Sequence, residues 1–274
     1  MWSAKLSGGD ASRAVTGSAD FSAKVWDTYS GECVQTFTHG HIVRSVAVNA
    51  AGDRLFTGGH ERKLRLFDLH KPPAGADEAQ LLRRGGEDTV HETPIRSVVL
   101  GRGDASRENV LVSADDKTLQ CVGRGGVWGA DRRWWDLRTM APTHSMALEA
   151  PIVAMDRCAG KFGELVTVTS GKDAYFIDLA THEVVKKHTL DVAPSSVALH
   201  PTDCDRFVAG CVSDEWVRIF DYETAEVREL HRRHHGPVHC VSYSPDGEVS
   251  ASGSEDGTIR LWQTHPGKKY GLWS

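Results

Sequence analysis

Most of what enzymes and secreted proteins rely on is missing from this chain. No apolar run is long enough for a signal peptide or a membrane span, the opening Met1-Trp-Ser-Ala-Lys-Leu6 included. The cysteines, Cys33, Cys121, Cys158, Cys204, Cys211 and Cys240, form no C-x-x-C pair and no Cys/His group at zinc spacing. Reduced, buried thiols and a reducing compartment, cytoplasm or nucleus, are therefore expected. The sequence also has no G-x-x-x-x-G-K-[ST] phosphate loop, no glycine-rich dinucleotide fingerprint and no G-x-S-x-G elbow. No catalytic residue, cofactor, metal ligand or small-molecule substrate is assigned, and no membrane insertion is expected. A formal charge of -5 gives no support to gripping nucleic acid through the overall field, which leaves RNA contact local, weak or indirect.

What is present is repetition. The last stretch reads His234, then Val238-His-Cys-Val-Ser-Tyr243, Ser244-Pro-Asp-Gly247 and Ser252-Gly-Ser-Glu-Asp256-Gly-Thr-Ile-Arg-Leu-Trp262. Short β-rich runs separated by turn residues in this order resemble a WD40 repeat, one four-stranded blade of a β-propeller. A large apolar residue followed by Asp should close each third strand. Such pairs occur at Trp26-Asp27, Phe67-Asp68, Trp135-Asp136, Ile177-Asp178 and Phe220-Asp221, with Trp262-Gln263 as the last member. The sequence thus predicts an all-β WD40 β-propeller with six recognisable repeats, near 1–38, 39–86, 87–148, 149–189, 190–230 and 231–274, in a single domain. With 40% apolar and 25% charged residues, the composition suits a packed soluble domain.

Counting back from the closing aromatics, an acid recurs six positions earlier: Asp20 before Trp26, Glu61 before Phe67, Asp214 before Phe220 and Asp256 before Trp262. A hydroxyl stands four residues before three of these acids, at Thr16, Thr57 and Ser252, and a histidine precedes the first strand at His39 and His234. The grouping suits a hydrogen-bond relay that satisfies polar groups buried between strands. Read as a hydrolase triad, His234, Ser252 and Asp256 lack an exposed nucleophile elbow and an oxyanion-hole loop. Partial copies along the chain also fit a structural device better than one active site. The fourth repeat shows no full relay, so packing is expected to hold it.

In register, the repeats resemble one family in particular, the serine-threonine kinase receptor-associated or unr-interacting proteins. The segments that carry this are Ala19-Asp-Phe-Ser-Ala-Lys-Val-Trp-Asp27, His39-Gly-His-Ile-Val43, Leu64-Arg-Leu-Phe-Asp-Leu69, Ser113-Ala-Asp-Asp-Lys-Thr118 and the ending Tyr270-Gly-Leu-Trp273. The resemblance implies a non-catalytic adaptor for proteins of a multi-subunit complex. The SMN complex, which loads Sm proteins onto spliceosomal RNAs, is the leading expectation, and restraint of TGF-β receptor signalling the second. The propeller subunit of translation initiation factor three is the nearest alternative. The resemblance also implies a seven-bladed ring with the N-terminal blade missing here, for which a truncated gene model is the favoured reading.

Three further features are read from the residues. Residues 121–133, Cys-Val-Gly-Arg-Gly-Gly-Val-Trp-Gly-Ala-Asp-Arg-Arg, interrupt the third strand of the third repeat. Their glycines and arginines make a poor strand. A looped-out excursion or an unspliced intron is expected, and removing it places Asp116 six positions before Trp135. Residues just after each relay acid should face partners at one rim: Phe21, Arg62, Lys117, and Glu215 with Trp216. For the two aromatics, folding back on their own blade is the alternative. The basic run Arg228-Glu-Leu-His-Arg-Arg-His-His235 reads as a loop between blades, either solvated or in phosphate contact.

Overall fold

A computed structural model describes residues 1–8, 11–71, 79–82, 87–101, 110–115, 130–137, 141–160, 163–179 and 181–265. The described regular elements are all strands. Strands consecutive in the chain are neighbours in each sheet, a meander favoured by short β-rich runs that alternate with turn residues. The first sheet holds β1 (Ser3–Leu6), β2 (Arg13–Gly17), β3 (Ser22–Asp27) and β4 (Cys33–Thr38). The second holds β5 (Val43–Val48), β6 (Arg54–Gly59), β7 (Leu64–Asp68) and β8 (Gln80–Leu82), and the third β9 (Ile95–Leu100), β10 (Val110–Asp115), β11 (Ala130–Asp136) and β12 (Ala141–Leu148). In the fourth are β13 (Ile152–Gly160), β14 (Gly163–Ser170), β15 (Asp173–Asp178) and β16 (Val184–Thr189). The fifth has β17 (Pro194–Leu199), β18 (Arg206–Cys211), β19 (Val217–Asp221) and β20 (Val227–His231), and the sixth β21 (Val238–Tyr243), β22 (Val249–Ser254) and β23 (Ile259–Gln263).

Among the described residues there are thus five four-stranded sheets and one three-stranded sheet. The seventh blade of the expected ring is not among them. Every predicted pair at a third-strand end lies where expected, at the close of β3, β7, β11, β15, β19 and β23. The chain divides into two compact units, Met1–Val153 and Ala154–Ser274.

Within each unit, successive sheets share their cores. Val15, Val25 and Phe37 of the first sheet pack with Val43, Val46 and Phe67 of the second. Phe176 and Leu165 of the fourth likewise meet Val197, Phe207 and Phe220 of the fifth. Each such side chain contributes about 2 kcal/mol of burial free energy. First and second strands are almost wholly buried in the second and fifth sheets but not in the first and sixth, and β4, β16 and β20 are largely exposed.

Close approach between sheets depends on one small position in the second strand. A Cβ added to Gly17 would lie 3.0 Å from Val43 and Val46 methyls, one on Gly58 2.8 Å from Ile95, and one on Gly210 2.7 Å from Val238. First strands of neighbouring sheets are also tied by serines: Val98 N–H donates to Ser45 Oγ at 2.9 Å, and Val46 and Val241 N–H donate to Ser3 and Ser196 Oγ at 3.4 Å. A bulge in β5, β17 and β21 sets each first strand for this contact.

The interruption at 121–133 departs from expectation at its end. Residues 130–133 are not looped out but form the start of β11, where Arg133 pairs with Ser113 and Arg132 with Ala114. A central strand uses only the main chain for pairing, so arginines can occupy the places that Leu119 and Gln120 were expected to fill. The remainder of the interruption lies outside the described residues, as do the proline-containing stretch 72–78 and the ending 266–274.

Candidate functional site

The sixth sheet assembles a four-membered relay from three elements. Ser252 sits mid-strand in β22, Trp262 near the end of β23, Asp256 in the turn between them, and His234 ahead of β21. Trp262 Nε1–H donates to Ser252 Oγ at 2.8 Å, Ser252 Oγ lies 2.7 Å from His234 Nε2, and His234 Nδ1 lies 3.0 Å from Asp256 Oδ2. With a neutral imidazole the donors run in one direction: indole to hydroxyl, hydroxyl to Nε2, Nδ1–H to carboxylate. Every polar atom of a buried group is then satisfied. The Thr258 hydroxyl and the His235 N–H hold the Asp256 carboxyl well below the ordinary carboxylate range. Ser252 is 1% exposed, and the indole N–H occupies the face a nucleophile would need. The triad order is present, but access for a substrate is not.

A second relay occurs in the third sheet with members the sequence reading missed. His91 Nε2 lies 2.7 Å from Ser113 Oγ and His91 Nδ1 3.1 Å from Asp115 Oδ2, all three buried. Asp116, the acid expected here, lies outside the described residues, as does Lys117. Trp135 is placed by its backbone, opposite Leu111 in β10. Six positions before Trp135, with 121–133 set aside, lies Asp116, one residue beyond the acid that His91 meets. A histidine ahead of an S-x-D at a strand end was the available signal.

The other repeats carry parts of the device. Trp26 Nε1–H donates to Thr16 Oγ1 at 2.9 Å, but Asp20 caps its own turn through Ser22 N–H and hydroxyl. The Ser22 hydroxyl bond keeps the Asp20 pKa low. In the second sheet His39 Nε2 meets Thr57 Oγ1 at 2.9 Å, while Phe67 replaces the indole and packs edge-on to His39 at 5.6 Å. Glu61 does not hold the imidazole: it accepts from Gly40 N–H and pairs with Arg65. Burial, with the Arg65 charge, lowers the His39 pKa to about 4. Asp214 of the fifth sheet behaves like Glu61, pairing with Arg218. In both phenylalanine sheets an arginine four residues after the acid takes the place of the histidine. The fourth sheet directs its hydroxyls to main chain, Thr167 to the Val197 carbonyl at 2.8 Å and Thr169 to Ala154.

The residue after each acid has one backbone geometry whatever its side chain. Phe21, Arg62, Glu215 and Gly257 have φ of 65°, 60°, 61° and 77°, a left-handed turn that a non-glycine residue adopts at a cost. Arg62 and Glu215 are exposed. Phe21 is 43% exposed and packs on His41 at 5.3 Å, with His41 stacked on His60 at 4.9 Å. Trp216 is half-buried beneath two guanidinium groups, Arg232 at 4.1 Å and Arg218 at 5.2 Å. The basic run is only partly a loop, since β20 extends through His231 and the free stretch begins at Arg232.

The described residues contain no group of three or more His, Cys, Asp or Glu placed to hold a metal, and no helix long and apolar enough to cross a membrane. The family model "WD domain, G-beta repeat" matches residues 31–68 and 226–263. The serine-threonine kinase receptor-associated protein of Gallus gallus is 37% identical over 273 residues, covering 100% of this chain and 69% of that protein. Eukaryotic translation initiation factor 3 subunit I of Candida albicans is 26% identical over 90% of this chain and 73% of its own length. A chain in a crystal structure of the mitotic checkpoint complex superposes with a TM-score of 0.74 at 17% identity, over 96% of this chain and 74% of that one, and so shares the fold. The repeats, the relay and the end-to-end likeness together place this chain in the serine-threonine kinase receptor-associated protein family of WD40 β-propellers.

Proposed function

We propose that this chain is a non-catalytic scaffold that docks proteins of a multi-subunit assembly, and that this assembly builds spliceosomal small nuclear ribonucleoproteins in the cytoplasm and nucleus. One observation carries the reading: likeness to the receptor-associated proteins spans the whole chain at 37% identity. The enclosed relay supports it, because Ser252, the residue a hydrolase would need free, is committed to Trp262 and His234. Docking would use the rim positions Phe21, Arg62, Lys117, Glu215 and Trp216, with RNA reached through the partner proteins. Association with a receptor kinase is the other role that the relatives' name carries.

Affinity purification of the full chain from its native source, followed by mass spectrometry, tests the proposal. Recovery of Sm-class proteins is expected. A clean set of initiation-factor subunits would overturn it in favour of the second reading, which the likeness to initiation factor 3 subunit I supports.

A further inference from the structure

We infer that the turn bearing Trp216 and the loop Arg232–His235 form a docking site for an acidic segment of a partner protein. The inference rests on the scaffold reading and names the chemistry of one of its surfaces. The loop is held from beneath at two points. His231 stacks on the Trp262 ring at 4.4 Å, and His234 is locked to Ser252 and Asp256. His235 N–H adds a bond to Asp256 Oδ2 at 3.0 Å. With both of these imidazoles committed inward, the side chains of Arg232, Arg233 and His235 are left exposed.

Neither Arg232 nor Arg233 has a carboxylate partner among the described residues, whereas Arg218, the other guanidinium over Trp216, is neutralised by Asp214. The Arg232 guanidinium carbon lies 4.1 Å over the Trp216 ring, which restrains the side chain, and the residue is exposed. That is the arrangement for bidentate recognition of a carboxylate, with little rotamer entropy left to lose. In a chain of net charge -5, two consecutive exposed arginines without a carboxylate partner among the described residues are a local basic feature. Glu215 borders the site on the turn side and repels an acid there, so the partner carboxylates are confined to the Arg232–Arg233 side.

RNA is the less suitable occupant. A nucleobase stacks on a bare aromatic face, and the Trp216 ring already lies under two guanidinium groups.

The test is fluorescence anisotropy of the full chain with a labelled synthetic peptide of alternating glutamate and glycine, against a labelled oligouridine of equal charge. The expected result is salt-sensitive peptide binding that weakens about ten-fold or more in the pair Arg232→Glu and Arg233→Glu. Arg232→Lys, which keeps the charge but loses the planar fork, should weaken it by about three-fold. Glu215→Gln should tighten it. Arg54→Glu with Lys71→Glu, which changes the net charge equally in the second sheet, should leave it unchanged. Circular dichroism confirms that each variant is folded. No peptide binding, equal loss in the control pair, or tighter binding of oligouridine would each overturn the inference. If the Arg232/Arg233 variant binds peptide normally yet the native chain still captures Sm-class proteins, the docking site is wrong and the scaffold reading stands.

Discussion

Replacing Ser252 with alanine should loosen the sixth sheet by about 3 kcal/mol. The hydroxyl removed accepts from the Trp262 indole at 2.8 Å and joins His234 Nε2 at 2.7 Å, at 1% exposure. Two net hydrogen bonds at about 1 kcal/mol each are lost, and an indole N–H and an imidazole nitrogen remain buried without a partner, which adds about 1 kcal/mol or more. The chain has two compact units, so a single global unfolding curve would mix their contributions. Native-state hydrogen exchange on the amides of β22 and β23 reads the local value directly. A loss of about 3 kcal/mol corresponds to roughly a hundred-fold faster exchange there. Ser252→Thr, which keeps an oxygen in place, should stay within about 1 kcal/mol of the parent. If Ser252→Ala speeds exchange by less than about five-fold, the relay is not a stabilising device and the argument from satisfied donors fails.

Further expectations concern pH, backbone strain and packing. His39 has its pKa lowered from 6.5 to about 4, so the unfolded chain takes up that proton first. Stability that is full above pH 6.5 should decline as the pH falls toward 4, by up to about 3 kcal/mol at 1.36 kcal/mol per pH unit. An NMR titration placing His39 near 6.5 would contradict this, and Arg65→Met should move it upward. Ala225, with φ of 60°, should gain about 0.5 kcal/mol on replacement by glycine, as left-handed strain of about 1–2 kcal/mol exceeds the entropy that glycine costs. A fall in thermal midpoint would refute that balance. Gly210→Val would drive a methyl into Val238, whose Cγ1 lies 2.7 Å from an added Cβ; it should cost about 2–3 kcal/mol in chemical denaturation, and an unchanged midpoint would show that the neighbouring sheet can yield.

The strands were legible because the third strand of five of the six repeats closes with an apolar residue and Asp, and of the sixth with Trp262-Gln263, a local code that needs no knowledge of neighbours. The relay in the sixth sheet was legible for the same reason, since His234 and Ser252 stand 18 residues apart, as do His39 and Thr57. His91 and Ser113 are 22 apart, and their acid, Asp115, stands two residues after the serine instead of four, so the pattern was hidden where the spacing varies. The behaviour of Glu61 and Asp214 was also hidden. Without an indole N–H to complete the chain, each carboxylate turns to the arginine two residues before the phenylalanine, a preference set by charge and reach. That Trp216 is covered by Arg232 from the following loop depends on tertiary approach, which no spacing within one repeat records.

The left-handed residue that follows each acid separates form from identity. Phe21, Arg62, Glu215 and Gly257 share nothing chemically, yet all take the same bend, which the acid caps from the side in three of them and main-chain bonding from Arg62 N–H to the Gly59 carbonyl holds in the fourth. Such a position works as a socket: its direction is built in, and whatever side chain is installed inherits that direction. A surface made of such sockets can be given new preferences one substitution at a time, with the frame beneath left as it was.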